Sequence, residues 1–284
     1  MKIFKKPAAL QSFLRTKRSV NKKVGFVPTM GALHAGHISL LAAAKQANDI
    51  AVCSIFVNPT QFNDPEDFKK YPVTLEKDIL LFEAAGCDVL FIPEVNDIYP
   101  NGTNNLRHYD LGFLETVLEG KFRPGHFQGV CQVVHRLLDI VLPDNLYLGQ
   151  KDYQQCMVIK RLIEIIRPDN KINVNICPTL RETDGLAMSS RNVRLSPGER
   201  NDATTISAAL GYIQDNVKSG SMDEIKKKAR QMLLDKGFKI DYLEIADANT
   251  LEPVERWDGK SKIVSLAAAF IGNVRLIDNM LVNP

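Results

Sequence analysis

Two histidines stand three residues apart in the stretch TMGALHAGHISLL, where an apolar run that favours a β-strand gives way to a helical pattern. Residues three apart lie on the same side of an α-helix, so His34 and His37 can face one ligand. An imidazole donates hydrogen bonds to phosphate oxygens and can change its charge near neutral pH. Gly31 and Gly36 allow a ligand to approach the backbone closely. The segment is therefore predicted to bind an anion.

Two other interpretations of the histidine pair stay open on spacing alone. In the first, one histidine caps the helix and the other packs against its neighbours. The second is zinc binding, although metalloprotease helices use the spacing HExxH and no third ligand is evident nearby. Neither the dinucleotide motif GxGxxG nor the phosphate-loop motif GxxxxGK[ST] occurs in the sequence. The two commonest phosphate-binding loops are thereby excluded.

Two further segments carry groups suited to phosphate. LAMSSR, residues 186–191, places two hydroxyls and a guanidinium in consecutive positions, which can fold over triphosphate oxygens. YLGQKDYQQ, residues 147–155, places Lys151 and Asp152 just past a predicted strand, with Gln155 one helical turn further on. Taken alone, the first is explained as a polar loop between domains and the second as a salt-bridged helix start. Their shared position after predicted strands favours a common site.

The elements that must position these segments alternate between strands and helices. Residues 24–28 and 50–57 are short apolar runs typical of strands, and a helix-length stretch from about residue 37 to residue 48 lies between them. The second run is almost continuously apolar, which is typical of a parallel strand covered by helices on both faces. Another helix is predicted over residues 72–86, with Asp78 facing outward.

The fold class predicted from this alternation is α/β. Residues 1–177 are expected to form a Rossmann-like, doubly wound parallel sheet, whose ligands bind at the carboxyl ends of the strands. After residue 178, helical stretches precede long strand-like runs. Residues 178–284 are therefore expected to form a second, smaller α+β domain.

Charge and composition narrow the class of partner. The 284-residue chain has a net charge of +3 from 36 basic and 33 acidic residues, which does not indicate a nucleic-acid or membrane surface. No segment approaches the roughly 20 apolar residues of a membrane span, and no signal-peptide core is present. The five cysteines are scattered and form no CxxC pair, as expected for buried free thiols in a reducing compartment. We expect a cytoplasmic protein with no nucleic-acid and no membrane partner.

Together the motifs resemble those of a known family. An HxGH motif with a Met-Ser-Ser-basic loop is similar to the HIGH and KMSKS signatures of the nucleotidyltransferase superfamily, which includes class I aminoacyl-tRNA synthetases. The segments PTMGALHAGH, FVNPTQFN, RPGHFQGV, GQKDYQQ and RETDGLAMSSRN narrow the resemblance to the pantoate–β-alanine ligase family, over residues 28–192. Relative to KMSKS, Ala187 stands at the first lysine, and the basic residue of the loop is Arg191, as a resemblance to this family requires.

The resemblance implies an ATP-dependent ligase. The family joins (R)-pantoate to β-alanine through a pantoyl adenylate, and it releases AMP and pyrophosphate with the product pantothenate. ATP would be a substrate, accompanied by Mg²⁺ held mainly by phosphate oxygens and water, so that protein ligands of the metal are not identified. The resemblance also implies a homodimer formed through the first domain.

The resemblance also assigns roles to residues of this sequence. His37, His34 and Lys151 are the expected catalytic residues, with His37 as proton donor to the leaving group. Gln61 and Gln155 are expected to bind pantoate, since a primary amide can donate to a carboxylate and accept from a hydroxyl. The residues expected to bind ATP are Met30, Gly31, Ala32, Leu33, His34, Ala35, Gly36, His37, Gly149, Gln150, Lys151, Asp152, Leu180, Met188, Ser189, Ser190 and Arg191.

Three alternatives remain beside the ligase. An adenylyl- or cytidylyltransferase of the same superfamily is the main one, and Gln61 and Gln155 argue against it. A tRNA synthetase fragment is disfavoured because no basic anticodon-binding domain follows. A nucleotide-binding module without activity would have lost part of the set of phosphate-binding residues, which is present in this sequence.

One more segment, KFRPGHF at residues 121–127, is interpreted as a mobile lid over the site, with capping of the following helix as the alternative.

Overall fold

The structure is a computed structural model that describes residues 1–63, 65–169, 172–218 and 220–282. The chain divides into two compact units, the first made of Met1–Gly149 and Gln155–Pro178 and the second of Gln150–Gln154 and Thr179–Pro284. The short segment Gln150–Gln154 thus groups with the second unit although it precedes residue 178. Within the described ranges, none of the helices combines the length and apolar character that a bilayer crossing requires.

A parallel sheet of six strands forms the centre of the first unit. The strands are β1 (Lys2–Phe4), β2 (Val24–Thr29), β3 (Ile50–Ile55), β4 (Val89–Phe91), β5 (Asn145–Gly149) and β6 (Asn173–Cys177). Their spatial order is β1-β4-β3-β2-β5-β6, and every pairing is parallel. The chain moves outward from β2 through β3 to β4 and then returns to β5 on the other side of β2. This reversal between β2 and β5 is where doubly wound sheets bind ligands, and it confirms the predicted fold class.

Helices cover the sheet of the first unit. They are α1 (Pro7–Arg18), α2 (Ala35–Ala47), α3 (Pro65–Lys69), α4 (Leu75–Ala84), α5 (Val95–Ile98), α6 (Glu119–Phe122), α7 (His126–Val141) and α8 (Tyr153–Ile166), the first two residues of which belong to the second unit. All six residues of β3 are buried, which explains the continuous apolar run. Its Cys53 packs in a core with Val27 of β2, Leu41 of α2 and Phe82 of α4.

A three-stranded antiparallel sheet with helices forms the second unit. Its elements are α9 (Pro197–Asp202), α10 (Thr205–Asn216), β7 (Gly220–Ser221), α11 (Asp223–Leu234), β8 (Lys239–Asp247), β9 (Arg256–Trp257), β10 (Ile263–Ile271) and β11 (Val274–Val282). The sheet order is β11-β10-β8, and β7 pairs with β9. Leu210 of α10, Leu233 of α11 and Ile245 of β8 pack in one core. This confirms the smaller α+β domain.

All five cysteines carry free thiols, as the sequence predicts. Four of them are buried, and Cys177 at the end of β6 is half-buried. Burial raises the pKa of the Cys131 thiol to about 12. A thiol of this kind stays protonated at neutral pH and is a poor nucleophile, so Cys131 contributes packing rather than chemistry.

Candidate active site

The two histidines of the HxGH motif form the N-terminal cap of α2. The Nδ1 atom of His34 accepts a hydrogen bond from the backbone N–H of Gly36 at 3.2 Å, and the Nδ1 atom of His37 accepts from the backbone N–H of His34 at 3.3 Å. The ring centroids are 4.1 Å apart. Because each Nδ1 accepts, each neutral ring carries its proton on Nε2. The capping interpretation therefore describes one nitrogen of each ring, and the hydrogen bond at Nδ1 fixes the direction in which the Nε2–H group points.

Asp78 holds the loop that precedes these histidines. The sequence pattern places it on the outer face of α4, and this prediction is wrong: Asp78 is 1% exposed. Its carboxylate accepts hydrogen bonds from the backbone N–H groups of Ala32 at 2.9 Å and Leu33 at 2.8 Å. Gly31 has a φ of +81°, and a Cβ there would lie 3.0 Å from Asp78 Oδ2. Helical periodicity predicts an exposed position for a charged residue. It does not reveal the loop N–H groups that donate hydrogen bonds to the carboxylate and so allow its burial.

Gln61 lies at the same sheet edge, in a short 3₁₀ helix, Pro59–Gln61, that follows β3. The side chain is buried. Its Nε2 donates to the sulfur of Met30 at 2.9 Å, and its Oε1 accepts from Nδ2 of Asn58 at 3.2 Å. Gln61 therefore contacts the loop that carries the histidines.

Asn58 is a further candidate, which neither its residue type nor its spacing singles out in the sequence. It is 1% exposed, and besides Gln61 its Nδ2 donates to the backbone carbonyl of Gly129 at 3.0 Å. Its Oδ1 accepts from the hydroxyl of Tyr99 at 2.7 Å and from that of Thr60 at 3.1 Å. Both ends of the amide are thus occupied, which fixes the orientation in which Asn58 presents its hydrogen bond to Gln61. The motif FVNPTQFN contained this residue, but its partners lie far along the chain.

The start of α7 supports the 3₁₀ helix from the other side. His126 is buried, and its Nδ1 lies 2.8 Å from the backbone oxygen of Gln61, to which it donates. Its Nε2 lies 3.1 Å from a guanidinium nitrogen of Arg123. Phe127 is 2% exposed. For residues 126–127 the structure supports the alternative to a mobile lid, an anchored helix start.

Gln155 and Gly149 reach this edge through β5. Gly149 is the last residue of β5, which pairs with β2, and Gln155 lies in the first turn of α8. The carboxyl ends of parallel strands lie at one edge of the sheet. Gln155, which comes after β5, therefore lies at the same edge as His34, which comes after β2. Gln155 is half-buried.

The remaining predicted residues belong to the second unit. Gln150, Lys151 and Asp152 form a 3₁₀ turn. The loop that begins at Thr179 is a hairpin, in which the N–H of Met188 donates to the carbonyl of Leu180 at 3.0 Å. The hydroxyl of Ser189 caps the next 3₁₀ helix, Ser190–Arg194, by accepting from the N–H of Arg191 at 3.3 Å.

The predicted residues thus fall into two groups, each brought together within one unit. The first unit holds Met30, Gly31, Ala32, Leu33, His34, Ala35, Gly36, His37, Gln61, Gly149 and Gln155. The second unit holds Gln150, Lys151, Asp152, Leu180, Met188, Ser189, Ser190 and Arg191.

The fold defines a doubly wound α/β protein, and the first group of residues forms a candidate ligand site beyond the carboxyl ends of its central strands. The family model for pantoate-beta-alanine ligase matches residues 2–281, and the chain belongs to this family. The match confirms the family inferred from the motifs.

Named relatives agree with this assignment along the whole chain. The pantothenate synthetase of Bacteroides thetaiotaomicron is 44% identical over 281 residues, which cover 99% of this chain and 98% of that protein. The pantothenate synthetase of Cytophaga hutchinsonii is 45% identical over 276 residues, which cover 96% of each chain.

Solved structures agree as well. The crystal structure of pantothenate synthetase from Thermus thermophilus has a TM-score of 0.91 at 40% identity and covers 100% of both chains. The pantoate-beta-alanine ligase from Francisella tularensis, complexed with "Beta-gamma ATP" and β-alanine, has a TM-score of 0.81 at 40% identity and covers 99% of this chain and 97% of that one.

Proposed function

We propose that this chain is an ATP-dependent ligase that condenses (R)-pantoate and β-alanine to pantothenate through a pantoyl adenylate, with release of AMP and pyrophosphate. The observation that carries the proposal is the match of the ligase family over residues 2–281. The complex of the Francisella tularensis relative with an ATP compound and β-alanine supports the choice of substrates.

In the first half-reaction the carboxylate of pantoate attacks the α-phosphorus of ATP. An oxygen–phosphorus bond forms, the bond from the α-phosphorus to the bridging oxygen breaks, and pyrophosphate leaves. Both reactants are anions, so the site must neutralise charge and align the groups more than supply a base. His34 and His37 are assigned to the α-phosphate and the departing pyrophosphate, with Nε2–H as the donor. The N-terminus of α2 adds a partial positive charge.

The other phosphate contacts in this proposal are assigned to residues of two further motifs. Lys151 bridges phosphate oxygens in the transition state. The Ser189 and Ser190 hydroxyls and the Arg191 guanidinium bind the β- and γ-phosphates. The ribose and adenine contacts are assigned to Gly149, Gln150, Asp152, Leu180 and Met188.

Pantoate binding is assigned to Gln61 and Gln155. The hydrogen bonds of Gln61 to Asn58 and Met30 support this role, because they orient a buried amide beside the loop that carries His34. A buried polar side chain held in one orientation contributes more to specificity than a mobile one.

In the second half-reaction the amine of β-alanine attacks the acyl carbon of the adenylate, a carbon–nitrogen bond forms and AMP leaves. The amine must be neutral, although a free alkylamine has a pKa of about 10. Desolvation in a closed site lowers that pKa, and the phosphate of the adenylate is an acceptor for the proton. No side chain is assigned as the base.

Mg²⁺ is proposed to accompany the triphosphate and to neutralise part of its charge. The described residues contain no group of three or more His, Cys, Asp or Glu side chains that could hold a metal ion. Phosphate oxygens and water are its main assigned ligands, in keeping with its coordination preference, and no protein ligand is assigned.

We also propose a homodimer formed through the first unit and a cytoplasmic location. Large apolar side chains of that unit, such as Val73 at 75% and Leu80 at 65% exposure, are candidates for burial in such an interface. The five free thiols suit a reducing compartment.

The reaction is tested by following pyrophosphate, AMP and the amide product with purified protein. We expect pyrophosphate release with ATP and (R)-pantoate, continued turnover when β-alanine is added, and formation of pantothenate. A stable nucleotidyl product with no amide would instead support the adenylyl- or cytidylyltransferase alternative. Pyrophosphate release that does not depend on pantoate would overturn the ligase.

The assigned cations are tested by His37→Ala and Lys151→Ala. Each removes a group that acts on phosphate in the transition state, so turnover should fall by about 10²–10³ while the thermal unfolding midpoint stays close to that of the parent. His108→Ala and Lys226→Ala are the matched controls. His108 is exposed, and Lys226 of α11 forms an ion pair with Glu244 of β8. Near-normal turnover of either test variant would remove that residue from the mechanism.

A further inference from the structure

Two consecutive buried residues of β11 are linked to two predicted ATP-binding segments of the second unit. The Asp278 side chain is 0% exposed and forms a two-pronged ion pair with Arg181, at 2.6 Å and 2.9 Å. The same guanidinium donates to the carbonyl of Gly185 at 3.0 Å. Arg181 and Gly185 belong to the hairpin that leads directly into residues 188–191. Asp278 therefore holds the base of the loop assigned to the β- and γ-phosphates.

Asn279 holds the other segment. Its Nδ2 donates to the backbone carbonyls of Gln150 and Lys151, each at 2.9 Å, and its Oδ1 accepts from Nε2 of Gln150 at 3.2 Å. The residue is 2% exposed. An amide nitrogen carries two hydrogens, so one asparagine can serve both carbonyls, whereas a carboxylate of the same shape would repel them.

The two residues are also joined to each other. The backbone N–H of Asn279 donates to Oδ1 of Asp278 at 2.8 Å, and Arg181 donates to the backbone carbonyl of Asn279 at 3.3 Å. β11 pairs over its whole length with β10 of the antiparallel sheet. The 3₁₀ turn that contains Lys151 and the base of the hairpin are therefore both held by hydrogen bonds to the same strand, β11.

We propose that Asn279 and Asp278 are positioning residues for adenylate formation, an inference that rests on the proposed ligase function. Asn279 sets the backbone from which Lys151 reaches the phosphates, and Asp278, through Arg181, sets the loop that carries residues 189–191. Neither residue touches substrate in this assignment. The two residues act by aligning two cationic groups with one polyphosphate. A displacement of such a group by about 1 Å can lower the reaction rate by up to about 10²-fold.

A double-mutant cycle tests Asn279. We compare Asn279→Ala, Lys151→Ala and the double variant in single-turnover formation of pyrophosphate from ATP and (R)-pantoate, with enzyme in excess. Asn279→Ala is expected to lower the rate by about 10²-fold in the parent and by less than about twofold when Lys151 is already alanine. An equal loss in both backgrounds is the result of a general structural role and would overturn the inference. Asn279→Asp keeps the side-chain volume and should reproduce the rate loss if the alanine variant folds poorly.

A matched pair of ion-pair variants tests Asp278. Asp278→Asn weakens the link to Arg181, and Asp241→Asn weakens the pair between Arg275 of the same strand and Asp241, which are 2.7 Å apart and mostly buried. Both should lower the thermal unfolding midpoint, but only Asp278→Asn should lower the adenylation rate constant, by about 10-fold or more. Equal rate constants in the two variants would overturn the role of Asp278.

The failure of the proposed function gives a different result. In that case the unsubstituted protein itself forms no pyrophosphate from ATP and (R)-pantoate, so that the rate constants of the variants have no parent value to be compared with. If the unsubstituted protein is active and the Asn279 and Asp278 variants match it at saturating ATP, the ligase function stands and the positioning inference is wrong.

Discussion

An imidazole at the start of a helix can do two things at once because its two nitrogens point in different directions. In His34 and His37 the Nδ1 atoms accept backbone N–H groups of the first turn. A serine at position 34 would satisfy the helix but would keep no second nitrogen for a ligand. The capping box made by two histidines therefore ties the orientation of both Nε2–H donors to the formation of α2 itself.

Variants of His34 separate these two uses. Asparagine is a good N-cap, so His34→Asn should keep the free energy of unfolding near that of the parent, while His34→Ala should lose about 1 kcal/mol. Both variants lose the Nε2–H donor and should lower the adenylation rate constant by about 10²–10³. Urea unfolding and single-turnover pyrophosphate release measure the two effects. A His34→Asn variant with the parent rate constant would show that capping is the whole role of this residue.

At the scale of elements, the 3₁₀ helix Pro59–Gln61 is held between the end of β3 and the first turns of α7. Gly129 of α7 makes this possible, since a Cβ there would lie 2.3 Å from the carbonyl oxygen of Thr60 and 2.6 Å from Cα of Gln61. The packing of α7 therefore decides where the amide of Gln61 is presented. His126, the first residue of the same helix, adds its hydrogen bond to the Gln61 carbonyl.

Gly129→Ala is expected to push the 3₁₀ helix away from α7. Overpacking of this kind destabilises by about 1–3 kcal/mol, and the displaced Gln61 should raise the KM for pantoate more than the KM for ATP. Gly211→Ala in α10 is the control, because the added Cβ would meet no described atom within 4 Å beyond the nearby backbone of its own helix, and alanine favours a helix by up to about 1 kcal/mol. Urea unfolding and steady-state kinetics check both. A destabilised Gly129→Ala variant with an unchanged KM for pantoate would argue against Gln61 as a pantoate ligand.

At the scale of the whole molecule, the proposed homodimer predicts a particle of twice the 31.8 kDa chain mass. Burial of exposed apolar side chains of the first unit is its expected driving force. Sedimentation equilibrium over a range of protein concentrations measures the mass directly. A single species of chain mass at micromolar concentration would contradict the proposal, and it would leave the ligase reaction untouched.

The sequence by itself determined the alternation of strands and helices, the parallel sheet and the family. These follow from local periodicity and from motifs such as HxGH and LAMSSR, whose residues are neighbours along the chain. The position of the histidines after β2 was predictable for the same reason. Asp78 was predicted wrongly because its partners, Ala32 and Leu33, lie in a loop 45 to 46 residues away.

Tertiary structure alone decided which buried polar groups orient the candidate site. Asn58 meets Gly129 across 71 residues, and Asn279 meets Lys151 across 128. Hydrogen bonds between residues so far apart leave no periodic pattern, because each depends on how separate elements pack rather than on the local preference of either residue. The residue types suited to the chemistry can be recognised in the sequence, whereas the alignment of their side chains depends on how the strands and helices pack.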